Sequence, residues 1–184
     1  MTRSDRIRVE FEREAIPHLD ALYGLALRLT GGDQSRSEDL VQDAILKAYR
    51  SWDRFETGTN CRAWLMTILR NTFINEFRRV KSRPTDVEFE EVADRLPADT
   101  LFEADPEGQV FERIIDDQVI AAIEELPDDF RISIVLSDIE GLAYQEIADL
   151  LEIPIGTVKS RLFRARKRLQ VRLYEYAVEM GFLR

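Results

Sequence analysis

Between residues 141 and 173 two helical patterns meet across a proline, and that junction limits the architecture more than any other stretch of the chain. In the second pattern Ile155, Val158, Leu162, Ala165, Leu169, Leu173 and Tyr176 recur every three or four positions, which places them on one face of a helix. Pro154 fits the first turn of such a helix, where its missing N–H costs nothing, and it biases Ile153 away from helical geometry. In the first pattern, 144–151, Ile147, Leu150 and Leu151 form an apolar side, and Ala148 is small enough to let another helix cross closely. Two short crossed helices with a turn at 152–154 are the expected product.

Charge on the second helix is one-sided. Lys159, Arg161, Arg164, Arg166, Lys167, Arg168 and Arg172 lie between the core positions, and no acidic residue occurs from 154 to 172. A solvated helical hairpin can also carry a basic face, so charge alone does not decide. Together, the crossed helices, the small contact residue, the proline turn and the unopposed basic strip form the pattern of a helix-turn-helix that contacts DNA.

The rest of the chain reads as all-α. Leu, Ala, Glu, Arg and Asp are plentiful, Gly and Pro are few, and strand-like alternation is scarce. A length of 184 residues accommodates one ordinary domain or two small ones. The single cysteine, Cys61, excludes an internal disulfide or a Cys-rich metal site and fits a reducing compartment, with cytoplasm as the default. The charged first residues make neither a signal peptide nor an anchor, and no apolar run is long enough to insert in a membrane. The net charge of −9 is unevenly spread. Residues 1–82 carry 14 basic and 12 acidic side chains, residues 83–115 carry 3 and 10, and residues 116–184 carry 9 and 13.

In chain order, residues 7–30 show a helical pattern with Phe11, Ala15, Leu19, Leu22, Leu25, Ala26 and Leu29 on one side, stopping at Gly31-Gly32. His18 lies within it without a Cys or carboxylate cluster and receives no role. Ser37 is expected to cap the next helix. In that helix Leu40, Val41, Ala44, Ile45 and Ala48 form the buried stripe, while Asp39, Gln42, Asp43, Leu46 and Arg50 fall on the other side. Leu46 fits either a protein contact or a singly exposed apolar residue. Residues 51–60 interrupt the periodicity as a loop, and Phe55 within it is open to burial in the core. The helix from about 61 to 80 mixes Trp64, Phe73 and Phe77 with Arg62, Arg70, Asn71, Asn75, Arg78 and Arg79. Such a mixture can grip single-stranded nucleic acid by stacking, amide bonds to base edges and arginine–phosphate contacts, although Trp64, Leu65, Ile68, Leu69 and Thr72 equally fit a core. From 81 to about 116 the pattern dissolves into an acidic, proline-containing linker. Periodicity then resumes, breaks at Leu126-Pro127 and resumes again before Gly141, giving a C-terminal domain of about four helices.

SEDLVQDAILKAYRSWDRF, TNCRAWLMTILRNTFINEFRR and ELPDDFRISIVLSDIEGLAYQEIADLLEIPIGTVKSRLFRAR together resemble the two blocks of the extracytoplasmic-function (ECF) group of bacterial sigma factors, in the right order and with a linker between them. The resemblance implies a promoter-specificity subunit of RNA polymerase. It divides the chain into a region 2 domain at 1–82, a linker at 83–115 and a region 4 domain at 116–184. Asp39, Gln42, Asp43, Leu46 and Arg50 would dock on the clamp helices of the polymerase largest subunit. Phe55, Thr59, Asn60, Arg70, Asn71, Asn75, Arg78 and Arg79 would serve minus-ten recognition, in which a non-template base is flipped from the stack. Thr157, Lys159, Ser160, Arg161, Phe163, Arg164, Arg166 and Lys167 would serve the minus-thirty-five element in the major groove, with Lys159, Ser160, Phe163 and Arg164 foremost and Arg161, Arg166 and Lys167 on backbone or in packing. The resemblance further implies contact with the polymerase flap, an anti-sigma partner and a stress-response setting, and it sends the acidic linker toward the RNA exit path. No cofactor or metal is expected. Two positions depart from the commonest pattern: Ala143 stands where Ser is frequent, and Glu152 where Gly often supplies a left-handed turn.

A stand-alone helix-turn-helix repressor is the alternative, but it requires a dimerisation seam that the chain lacks and leaves the first half without a purpose. An enzyme fares worse. One His, one Cys and no glycine-rich phosphate loop leave no catalytic constellation.

Overall fold

A computed structural model describes residues 3–81 and 117–179, and within these every regular element is helical. Helix α1 (Arg3–Ala15) ends in a 3-10 turn at Ile16–His18, and α2 (Leu19–Thr30) follows. The single helical pattern expected over 7–30 is therefore interrupted. Pro17 lies in the turn and cannot donate to the ladder, so the chain tightens there before α2 restarts. Gly31 closes α2 in left-handed geometry, φ 75°.

Helix α3 spans Gln34–Arg50 and begins earlier than expected: Asp33 is the cap, its carboxylate accepting the Arg36 N–H at 3.0 Å. Ser37 lies one turn inside, buried, its hydroxyl 2.7 Å from the Asp33 carbonyl and 2.8 Å from the Thr30 hydroxyl. Both residues have capping chemistry, and the one directly after the glycine pair takes the role.

After a 3-10 turn at Trp52–Arg54, α4 spans Cys61–Lys81. Helices α1 to α4 close around Leu22, Leu25, Leu29, Leu40, Ala44, Leu65 and Leu69. An aromatic group at one end consists of Phe11, Tyr49, Trp52, Phe55 and Trp64, with Phe55 stacked on Trp52 at 4.6 Å between centroids.

The second half comprises α5 (Asp117–Glu124), α6 (Asp128–Ile134) running into a π-helical turn at Val135–Ile139, α7 (Tyr144–Leu151), α8 (Ile155–Arg172) and α9 (Tyr174–Glu179). The long pattern expected to continue through Tyr176 breaks at Leu173, where the chain leaves helical geometry and α9 starts as a separate turn. Helix α8 packs on α6 and α7 through Val158, Leu162, Ala165 and Leu169, against Ile132, Leu136, Ile147, Ala148 and Leu151. The acidic linker lies outside the described residues, as does Ile114.

The two halves touch. Helix α2 meets α5 and α6, and α4 meets α7. Among the described residues no helix is long and apolar enough to cross a membrane.

Candidate nucleic-acid interface

The turn before α8 determines how that helix is presented. Glu152 adopts φ 55°, ψ 44°, the left-handed conformation that glycine takes without penalty, and its N–H donates to the Ala148 carbonyl. The glutamate therefore accepts the strain, and the turn keeps the geometry that glycine would give. At the start of α7, Ala143 offers no side-chain cap, but its N–H donates to the Glu146 carboxylate at 2.8 Å. Half of a reciprocal cap is thus in place.

Helix α8 carries its cations on three distinct sides. Val158, Leu162, Ala165 and Leu169 are buried. Stepping by 100° per residue, Thr157, Arg161 and Arg168 lie on the flank toward α6. There Arg161 donates to Asp129 at 2.9 Å and Arg168 sits over the Phe130 ring at 5.0 Å. Lys159 and Arg166 lie on the opposite flank, where Arg166 forms two hydrogen bonds to Asp138, 2.7 and 3.1 Å, and one to the Tyr144 hydroxyl, 3.3 Å. Those bonds to Asp138 raise the Arg166 pKa above its ordinary value. Ser160, Phe163, Arg164 and Lys167 occupy the side turned away from the core, Ser160 and Lys167 exposed and Phe163 and Arg164 half-buried. The eight residues singled out from sequence are thus divided into an outward group and two bracing flanks.

The first half presents two further surfaces. On α3, Asp39, Gln42, Asp43, Leu46 and Arg50 are all exposed and share a stripe opposite the buried Leu40, Ala44 and Ala48. Leu46 is 51% exposed, and Tyr49 beside it is 37% exposed. On α4, four-residue steps align Asn71, Asn75 and Arg79, all exposed, on one strip, and Arg70, Ile74 and Arg78 on the next. Thr59 and Asn60 are exposed at the helix entrance, where Asn60 caps α4 by accepting the Ala63 N–H at 3.0 Å. Phe55 is buried among Trp52 and Trp64, so its ring anchors the loop and does not face solvent.

Arg131 was missed in the sequence. It is the one basic residue among the eleven acids of 116–152 and is buried, 5% exposed. Its guanidinium donates to the Leu126 carbonyl at 2.8 Å, to Asp128 at 2.6 Å and across to the Leu29 carbonyl of α2 at 3.4 Å. Its isolation among acids was a usable signal, since a lone cation there has many partners close by. Cys61 is buried at the first turn of α4, and burial, followed by the nearby Glu14 charge, pushes its thiol up, away from reactive thiolate.

Residues 16–83 match the sigma-70 region 2 family and residues 116–169 the sigma-70 region 4 family. The chain is 36% identical to the ECF RNA polymerase sigma factor SigE of Mycolicibacterium smegmatis over 88% of its length, and covers 61% of SigE. It is 36% identical to the ECF sigma factor EcfG of Rhodopseudomonas palustris over 87% of its length, covering 81% of EcfG. The structure resembles that of the sigma factor RpoE of Bartonella quintana, solved with the anti-sigma factor NepR, with TM-score 0.52, 32% identity and coverage of 90% and 97% of the two chains. Two region families in order and relatives of this similarity place the chain among the ECF RNA polymerase sigma factors, which are transcription initiation factors and not enzymes.

Proposed function

We propose that this sigma factor binds core RNA polymerase and divides promoter reading between its halves, with 1–82 serving the minus-ten element, 83–115 linking, and 116–184 serving the minus-thirty-five element. The observation that carries the reading is the three-sided division of α8. Arg161 and Arg166 are spent on Asp129 and Asp138, so the helix is held firmly while Ser160, Phe163, Arg164 and Lys167 face outward, with Lys159 and Thr157 at the edges. A helix so braced can enter a major groove with its outward side chains on base edges and its margins on phosphates.

In the first half, the exposed stripe Asp39, Gln42, Asp43, Leu46 and Arg50 suits docking on the polymerase clamp helices: an apolar centre within a charged rim. The strip Asn71, Asn75 and Arg79, with Thr59 and Asn60 at its entrance and Arg70 and Arg78 alongside, suits capture of an unpaired strand. Phe55 contributes by fixing the loop. The flap of polymerase is the expected partner of the second half. An anti-sigma factor is a further partner, supported by the NepR complex of the Bartonella relative, and a cytoplasmic stress response is the setting.

Run-off transcription with core polymerase on a genomic promoter library tests the reading. Initiation at a defined set of promoters, with weak duplex binding by the free protein, is expected. Tight sequence-specific operator binding without polymerase would instead favour a self-sufficient repressor.

A further inference from the structure

The loop between the Trp52–Arg54 turn and α4 has a shape of its own, but its direction is fixed from outside. Internally, Thr59 closes a turn on Glu56, its N–H 3.1 Å and its hydroxyl 2.7 Å from the Glu56 carbonyl. Gly58 supplies the left-handed residue that such a turn requires, φ 92°, and a Cβ placed there would meet nothing within 4 Å, so the tip is open on its outer side. These bonds set the shape of residues 56–59 and leave their orientation to three attachments. Asn60 fastens one end by capping α4. Phe55 fastens the other by stacking on Trp52, whose ring meets Phe11 of α1 edge-on at 5.1 Å. Between these ends, the Thr57 hydroxyl donates to the Glu10 carboxylate of α1 at 3.3 Å.

Two of the three attachments lead to consecutive residues of one helix, Glu10 and Phe11, and α1 lies ahead of the region 2 match, which starts at residue 16. The two residues differ in kind. Phe11 is buried in the core, so it serves the fold as well as the loop. Glu10 is half-buried at the margin, and its one hydrogen bond among the described residues is the one to Thr57. We propose that Glu10 is a positioning residue for minus-ten reading: by holding Thr57 it fixes the direction in which the loop presents Thr59 and Asn60 to an unpaired base. The inference rests on the assignment of Thr59 and Asn60 to the minus-ten element made above. Without the Glu10 bond the turn is held only at its ends and can rock, with its shape unchanged, about the line joining Phe55 and Asn60. A polar group tells one base edge from another only while its own direction is held, so rocking costs selectivity first. Glu10 lies outside the α3 stripe assigned to polymerase docking, and docking is therefore left as it was.

The test uses full-length protein with core polymerase and single-stranded oligonucleotides carrying the minus-ten sequence of a promoter defined by run-off transcription, intact or with one base replaced. Glu10→Ala and Thr57→Val are each expected to lower the ratio of matched to mismatched affinity by about two- to tenfold, the range that one hydrogen bond commands. Glu10→Gln keeps an acceptor for Thr57 and is expected to retain the parent ratio. The double variant, Glu10→Ala with Thr57→Val, is expected to lose no more than either single one, because both remove the same bond. Glu12→Ala, which takes the same charge from an exposed position of α1, is the control. In the free protein, amide exchange at Thr59, whose N–H closes the turn, is expected to quicken in Glu10→Ala and Thr57→Val but not in the control. A ratio in Glu10→Ala equal to that of the control, an equal loss in Glu10→Gln, or additive losses in the double variant would overturn the proposal. A parent that shows no preference among bases would count against the minus-ten assignment instead, and Thr59 exchange would still decide whether Glu10 holds the loop.

Discussion

At Ala143 the structure leaves one half of a reciprocal cap unfilled, and the consequence is measurable. Glu146 already accepts the Ala143 N–H. Ala143→Ser supplies the missing acceptor for the first turn of α7 and is expected to stabilise the protein by about 1 kcal/mol in urea unfolding. Glu140 gives a pH-dependent counterpart. Burial raises its pKa above the ordinary glutamate value, more than Arg70, Arg28 and Arg62 lower it. The folded state therefore binds this proton more readily than the unfolded chain, and its contribution to stability falls as pH rises from the ordinary value of 4.5 through the raised one. Glu140→Gln is expected to remove that component of the pH slope, read from urea midpoints across this window; an unchanged slope would refute the assignment. At this scale the sequence was a mixed guide. It flagged 143 and 152 as departures from a pattern, because cap and turn positions have narrow chemical requirements. The left-handed conformation of Glu152 belongs to the turn itself, but the partner of its side chain, Arg78, lies seventy-four positions earlier and no local rule could supply it.

Among the elements, α3, α4 and α8 were legible because their apolar residues repeat at helical spacing, and the sides they bury follow from that spacing. Their boundaries were less so. Pro17 divided an expected single helix, and the cap of α3 passed from Ser37 to Asp33, since two sites one turn apart could do the same job. What spacing could not show was which cations of α8 serve the fold, because Arg161, Arg164 and Arg166 look alike until α6 and the Val135–Ile139 turn are packed beside them. This distinction separates two experiments. Arg166→Ala removes the bonds to Asp138, whose side chain is 15% exposed, and is expected to cost about 1.5–3 kcal/mol of stability in denaturant titration. Arg164→Ala is expected to impair minus-thirty-five-dependent transcription while core polymerase still co-purifies with the protein; equal loss of both would make Arg164 a structural residue. On α3, Asp43→Arg is expected to do the reverse, lowering affinity for core polymerase with the fold intact by circular dichroism.

For the whole molecule, charge distribution predicted two basic reading surfaces separated by acid, and the structure shows where part of that acid goes. The net charge of −9 conceals a cationic α8 and α4 facing carboxylates from the same chain. The placement of the halves was not legible, since contacts such as that of Arg131 with a backbone carbonyl of α2, and the close approach of its guanidinium to Gly31, have no periodic signature.

The double bracing of α8 bears on promoter geometry. A helix tied by Arg161 on one flank and Arg166 on the other cannot roll about its own axis to follow a displaced groove. Each base pair inserted between two promoter elements turns the groove by about a tenth of a helical repeat. Accommodation of spacer length must therefore come from the joint between the halves, and substitutions that loosen α8 should blur the choice of sequence without widening the range of spacers used.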